Sequence, residues 1–260
     1  MDVLTNRLRA VLVGFGIILL GIVLQQFATL PVFLIDAAAI LDPENASRLG
    51  VMVLLPLNFI GLAAAGVVYM VITGRGWEWI DLPRPGKWDF VWMIGGTILT
   101  IVALIFVGIA AQAAEAQPPE QALMVLISED IVLLLFMIAV VWLLNAPAEE
   151  FLFRNVVQKR LYDAYSGISA VLITSVLFAL IHVLTFVLVG VRLFDVFFPI
   201  FGIFIGSIVM GFAYLRTENL WVPIVIHAAF NSIQLIITLI VLVYDIDPET
   251  AANALALLLG

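Results

Sequence analysis

Two adjacent glutamates and an arginine interrupt a strongly apolar part of the chain. Glu149, Glu150 and Arg154 belong to the segment Ala-Glu-Glu-Phe-Leu-Phe-Arg at positions 148–154. Glu150 and Arg154 are four residues apart, so on a helix they share one face and can form a structural ion pair. Glu149 is rotated away from Glu150 by about 100°. A buried carboxylate suits a general base that works near neutral pH, so Glu149 is the candidate for chemistry.

The two histidines of the chain each have a companion residue one helical turn away. Phe178 precedes His182 by four residues, and Asn231 follows His227 by four residues. Each pair therefore presents a single helix face. A histidine beside a carboxylate can hold a water, and a second histidine with an amide NH2 supplies donors for an oxyanion. These residue types and spacings predict a site that hydrolyses a peptide bond.

Several of these residues also have simpler interpretations. A histidine on an apolar helix face is often structural, and Asn231 can join two helices by hydrogen bonding. Asn145 lies near Pro147 and can satisfy backbone groups that the proline leaves unpaired. The histidines with Glu149 are also a donor set for Zn²⁺. Because an asparagine is a poor zinc ligand, we expect no metal and no cofactor, with zinc as the alternative.

The composition is that of an integral membrane protein. Hydrophobic residues make up 64% of the 260 residues and charged residues only 12%, against about 25% charged in a soluble domain. The absence of cysteine excludes thiolate catalysis and thiolate metal sites. A net charge of −8 gives no support for a nucleic-acid partner. The expected partners are the lipid bilayer and a peptide substrate.

The predicted fold class is all-α, a polytopic membrane helical bundle forming a single domain over 1–260. Residues 1–120 provide generic spans, and residues 121–244 carry the candidate site. An apolar tail, 251–259, is too short to cross a bilayer and is predicted to be an eighth, docked or interfacial helix. The seven predicted spans are 10–34, 49–72, 89–111, 131–160, 168–189, 194–215 and 220–244.

The distribution of cations predicts how these spans are oriented. Nine of the eleven Lys and Arg residues, Arg154 included, fall on the side of the N-terminus. Cytoplasmic loops carry an excess of cations, so we predict a multi-pass cell-membrane protein with a cytoplasmic N-terminus.

The fourth span decides whether Glu149 is inside the membrane. If the helix ended before Pro147, the two histidines would lie about 22 and 12 Å deep without an acid partner. If the helix continues through Pro147, kinked there, to Arg160, Glu149 lies about 16 Å deep and shares their level. We therefore predict the long helix and one buried site built from three helices.

The three motifs resemble those of the type II CAAX prenyl endopeptidase and bacteriocin-processing family. The patterns Glu-Glu-x-x-x-Arg, Phe-x-x-x-His and His-x-x-x-Asn follow in that order over 148–232, whereas the first 120 residues resemble the family only as apolar spans. The resemblance implies a metal-independent, membrane-embedded glutamate endopeptidase whose cavity opens to the cytoplasm. It also implies a peptide or lipidated-protein substrate: either a prenylated, CAAX-like C-terminus or another membrane-associated peptide, since the family is functionally broad.

The resemblance also assigns a role to each motif residue. Glu149 is the general base, and His182 helps to hold the water. His227 and Asn231 stabilise the oxyanion. The supporting residues are Glu150, Arg154 and Phe178.

Two other classes of function are compatible with the same side chains. One is a non-catalytic membrane protein, such as an immunity factor or scaffold, and the other is a proton-coupled transporter with a Glu/His relay.

Overall fold

The protein is built from long helices, as described by a computed structural model of residues 3–116, 122–187 and 193–246. Within these ranges there are short helical turns but no strand, so the predicted all-α fold is confirmed. The predicted tail helix, 251–259, lies outside the described residues. The seven long helices are α1 (Val3–Thr29), α2 (Arg48–Ile72), α3 (Lys87–Ala113), α4 (Ile131–Leu161), α5 (Gly167–Val187), α6 (Leu193–Thr217) and α7 (Trp221–Val243).

Six of these helices are long and apolar enough to cross a membrane, and the apolar part of α5, Gly167–Val183, is shorter. Many large apolar side chains point outward, among them Phe106 and Leu143, which are 68% and 73% exposed. In a soluble protein such a surface would aggregate, whereas a lipid bilayer solvates it. The protein is therefore a polytopic membrane helical bundle.

Helix α4 is the central element of the bundle. It contacts α1, α2, α5, α6 and α7. Its residues Leu152, Phe153, Val156 and Val157 are all fully buried, as expected for a helix that is packed on every side. Small residues on its neighbours allow this close packing: a Cβ at Gly21 of α1 would lie 3.2 Å from Leu152 Cδ2.

The predicted continuation of α4 through Pro147 is confirmed, and the helix changes its winding around that residue. Val141–Asn145 and Phe151–Gln158 are π-helical, while Ala146–Glu150 between them is α-helical. Proline lacks the N–H that a regular helix needs at this point, and π-helical turns are frequent at functional sites. The two glutamates, Glu149 and Glu150, lie between these two π-helical segments.

Three arginines differ from the expectation. Helix α1 begins at Val3 instead of residue 10, so Arg7 and Arg9 belong to the helix; arginine is a good helix former, and a helix end can protrude from the bilayer. Arg154 is fully buried, because it pairs with a buried carboxylate instead of facing the cytoplasm. It therefore does not count toward the charge bias, and the predicted orientation depends on the other cations.

The loop between α2 and α3 is bonded to the C-terminal part of α4. Lys159 Nζ donates to Asp81 Oδ1 at 2.8 Å and to the backbone oxygen of Trp79 at 2.7 Å. Asn155 Oδ1 accepts a hydrogen bond from the Asp81 N–H at 2.9 Å. Tyr214 of α6 also donates to the Asp81 carboxylate. Through Asp81, these contacts link α6 to the part of α4 that follows the glutamates.

Candidate active site

A cavity of about 500 Å³ brings the three motifs together. Its wall includes all four residues predicted to be catalytic, from three different helices: Glu149 of α4, His182 of α5, and His227 and Asn231 of α7. Phe178 also lines it, and α3 and α6 provide much of the remaining wall. The helices thus place the predicted residues around one space, while their catalytic roles remain predictions.

Glu149 has one oxygen that is hydrogen-bonded and one that faces a histidine across a gap. Its Oε1 accepts a hydrogen bond of 2.7 Å from Asn145 Nδ2. Its Oε2 lies 3.9 Å from His227 Nε2, and 14% of the side chain is exposed. This distance is longer than a hydrogen bond. Glu149 is therefore held through Oε1 while Oε2 stays accessible from the cavity.

Glu150, the adjacent carboxylate, is completely buried and bonded at both oxygens. Oε2 accepts from Arg154 Nε at 2.7 Å, and Oε1 lies 2.9 Å from His227 Nδ1. Arg154 also donates to Ser207 Oγ of α6 at 3.1 Å. The predicted ion pair is present, and Glu150 has a second contact that the sequence did not indicate. Because a carboxylate only accepts, His227 carries a proton on Nδ1 and turns Nε2 toward Glu149.

His182 is oriented by its own helix. Its Nδ1 lies 2.7 Å from the backbone oxygen of Phe178, so Nδ1–H donates, and in the neutral ring the lone pair lies on Nε2. The centroids of the His182 and Phe178 rings are 4.7 Å apart. Phe178 is only 4% exposed and contacts Phe153 edge-on at 4.7 Å. Phe178 thus supports the histidine with its backbone and closes the cavity wall with its ring.

Asn145 is a cavity residue whose place the sequence interpretation missed. The sequence left open that its side chain satisfies backbone groups near Pro147; in the structure it bridges Glu149 and Asn231, accepting a bond of 3.2 Å from Asn231 Nδ2. Asn145 ends the first π-helical segment of α4, and its side chain lines the cavity. The i,i+4 spacing to Glu149, shared with the other motif pairs, was the available signal. Ser207 was missed as well, and its contact with α4 has no signal in the sequence.

Asn231 also makes the contact of its simpler interpretation, since its bond to Asn145 joins α7 to α4.

With regard to metals, the described parts of the chain contain no group of three or more His, Cys, Asp or Glu residues arranged to hold an ion. Whether the reaction needs a metal therefore stays a prediction, to be tested by chelation.

Comparisons with known proteins agree with the motifs. Residues 131–233 match the family model described as Type II CAAX prenyl endopeptidase Rce1-like. The resemblance is confirmed. The Rce1-like segment begins where α4 begins and ends two residues after Asn231, so it contains every motif residue. Its match stops short of α1, α2 and α3, in line with their generic character in the sequence.

One curated relative is similar to the chain over a longer range. The membrane-embedded CAAX protease MroQ of Staphylococcus aureus (strain USA300) is 23% identical over 184 residues. The alignment covers 67% of this chain and 66% of MroQ, so the chain spans slightly less than two thirds of that relative. No solved structure gives a significant match.

Proposed function

We propose that this protein is a membrane-embedded endopeptidase that hydrolyses a peptide bond with a water activated by Glu149. The observation that carries the proposal is the convergence of Glu149, His182, His227 and Asn231 on one cavity within the Rce1-like segment. The similarity to a relative named as a CAAX protease supports the same class of reaction.

In the proposed reaction, Glu149 is the general base. Its accessible Oε2 takes a proton from a water that His182 helps to hold. The hydroxide adds to the carbonyl carbon of the substrate, and the electron pair of the C=O double bond moves to the oxygen. When the C–N bond breaks, the protonated Glu149 returns the proton to the leaving nitrogen. The carboxylate is thereby regenerated without a covalent enzyme intermediate.

His227 and Asn231 are proposed to stabilise the oxyanion. Protonated His227 directs its Nε2–H toward the cavity, and Glu150 at Nδ1 provides the counter-charge 2.9 Å away. Asn231 uses one N–H on Asn145 and retains a second N–H for the substrate. Donors held in place before the reaction are worth about 100- to 1000-fold each in rate.

The cavity wall favours an apolar or lipid-modified substrate. Beside the polar centre it is lined by residues such as Leu104, Met137, Ile203 and Phe230. A Cβ at Gly202 would lie 2.7 Å from Leu104 Cδ2, so glycine keeps α6 close to α3 at this wall. We propose a membrane-associated peptide, such as a prenylated CAAX-like C-terminus, that enters from the cytoplasmic side.

The test is the isosteric variant E149Q, assayed in liposomes beside the wild type. The probes are an internally quenched peptide with a farnesylated CAAX terminus, the same peptide without the lipid, and the peptides released from native membranes, measured by mass spectrometry. We expect E149Q to lose about 100- to 10,000-fold in rate while unfolding at the wild-type temperature. Full activity of E149Q, or no product from the wild type, would refute the proposal.

Two further arms test the alternatives. A strong chelator should leave cleavage unchanged; inhibition reversed by added zinc would overturn the metal-independent mechanism. If E149A and H182A leave the cellular phenotype intact, the protein is a non-catalytic membrane factor. If the wild type instead drives pH-dependent flux across liposomes, it is a transporter.

A further inference from the structure

Asn145 connects Glu149, the proposed general base, with Asn231, a proposed oxyanion donor. Its amide nitrogen donates to Glu149 Oε1 at 2.7 Å, and its amide oxygen accepts from Asn231 Nδ2 at 3.2 Å. The side chain is buried, with 6% of the residue exposed, and it lines the cavity. A buried amide with both ends bonded to side chains is held firmly in one orientation.

The chemistry of the partners determines which way this amide points. A carboxylate accepts hydrogen bonds and cannot donate them, so the NH2 group of Asn145 must face Glu149. The reversed amide would bring two oxygens to 2.7 Å. Once the NH2 group faces Glu149, the oxygen faces α7, and Asn231 must approach it with its own NH2 group. The orientation of Glu149 thereby determines the orientation of Asn231 through Asn145.

We propose that Asn145 is a positioning residue that holds Glu149 and Asn231 in their working orientations; this rests on the proposed function. Because Asn145 occupies Oε1, the other oxygen of Glu149 is the one that meets the water. Because Asn145 takes one N–H of Asn231, the remaining N–H has a defined direction for the oxyanion. Asn145 acts on the reaction through these two residues and not on the substrate itself.

Two substitutions separate the two hydrogen bonds. N145L is nearly isosteric and removes both of them. N145D keeps an acceptor for Asn231 but replaces the donor with a second carboxylate against Glu149, which like charges disfavour. A misplacement of about 1 Å costs about 100-fold in rate. We expect both variants to lose about 100-fold in kcat, N145D at least as much as N145L, while KM stays close to the wild-type value.

Asn155 provides the matched control. It is a fully buried asparagine of the same helix, and it also makes two hydrogen bonds, to the Asp81 N–H and to the Trp79 carbonyl. None of its partners lines the cavity. N155L should lower the thermal unfolding temperature but leave kcat of the folded fraction unchanged. The comparison separates the loss of a buried amide from the loss of positioning.

A double variant tests whether Asn145 and Asn231 act as a unit. If Asn145 works partly through Asn231, N145L combined with N231L should lose less than the product of the two single effects. Simple multiplication of the two losses would contradict this part of the inference.

The kinetics are measured with the farnesylated CAAX peptide or with a peptide identified from native membranes. Wild-type kcat in N145L together with an inactive E149Q would overturn the inference and leave the proposed function standing. A loss confined to KM, or a loss in N145L that follows the folded fraction as in N155L, would also overturn it. Activity in E149Q would instead refute the proposed function.

Discussion

Glu149 and Glu150 are neighbours in the chain with the same side chain, yet they lie in opposite environments. Glu150 is fully buried and accepts from Arg154 at one oxygen while the other meets His227. Glu149 has one bonded oxygen and a side chain that is 14% exposed to the cavity. A carboxylate with all its bonds made is suited to holding a structure, and one with an accessible oxygen is suited to moving a proton. The difference comes from the turn of the helix between them.

The isosteric pair E149Q and E150Q tests this comparison most directly. E149Q should lose about 100- to 10,000-fold in rate at unchanged stability. E150Q leaves Arg154 buried without its counter-charge, so it should lose about 3–5 kcal/mol of stability. Cleavage assays and thermal unfolding in detergent measure the two effects. Equal loss of stability in both variants would show that the two carboxylates are not separated in role.

Substitution of Arg154 tests the other side of the buried pair. R154M leaves the buried Glu150 with His227 at 2.9 Å as its remaining partner and should cost up to about 3–5 kcal/mol. The double variant E150Q/R154M removes both charges and should be more stable than either single variant. Thermal unfolding of the three proteins checks this; a double variant whose loss equals the sum of the single losses would contradict the pairing.

Substitution of Ser207 tests a hydrogen bond at the edge of the buried Glu150–Arg154 pair. S207A removes the acceptor of Arg154 Nη2 and should cost about 1.5–3 kcal/mol, the range for a hydrogen bond to a charged group. Ser175 of α5 is a suitable control, because its buried Oγ has no hydrogen-bond partner among the described residues. S175A should unfold near the wild-type temperature. Equal shifts in the two variants would argue against the Ser207 contact.

The smallest expected effect concerns a partly exposed ion pair at the N-terminal ends of α2 and α4, between Arg48 and Asp130. Partial burial opposes ionisation of Asp130, but the hydrogen bonds from Arg48 and from the N–H groups of Leu133 and Val132 outweigh it and lower the pKa of Asp130. A carboxyl with a lowered folded-state pKa stabilises the fold above its unfolded-state pKa, and this contribution is lost as the pH falls through the folded-state pKa.

For this reason R48M should lose less than about 1 kcal/mol at neutral pH, since the pair is partly exposed. The difference between R48M and the wild type should shrink as the pH falls below about 4. Thermal unfolding at several pH values measures it. A constant difference across that range would show that the arginine acts through packing rather than charge.

The long helices and their approximate positions were accessible from the sequence because lipid imposes simple requirements on it. A span needs about twenty apolar residues whose backbone bonds are made internally, and local caps such as Asp130 at the start of α4 mark the ends. Depth along each helix also follows from the rise per residue. That was enough to predict that Glu149, His182 and His227 lie at one level.

Contacts between helices required the tertiary structure. Spacing within one helix predicted the Glu150–Arg154 pair, but the bond from Glu150 to His227 and the bond from Arg154 to Ser207 join residues 77 and 53 positions apart. Such pairs depend on how the helices rotate and pack, and residue types alone do not encode that. The same holds for Asn145, whose π-helical turn and approach to Asn231 exist only when α4 and α7 are in contact.

Residue types and spacing were therefore sufficient to predict the family resemblance, the membrane helices and the candidate residues that line the cavity. Packing decided how those side chains are held: which oxygen of Glu149 is bonded and which is accessible, which nitrogen of His227 faces Glu149, and why Arg154 is buried instead of exposed. The physical reason is that periodicity along a helix is a local property, while the partner of a buried polar group is set by the neighbouring helix that reaches it.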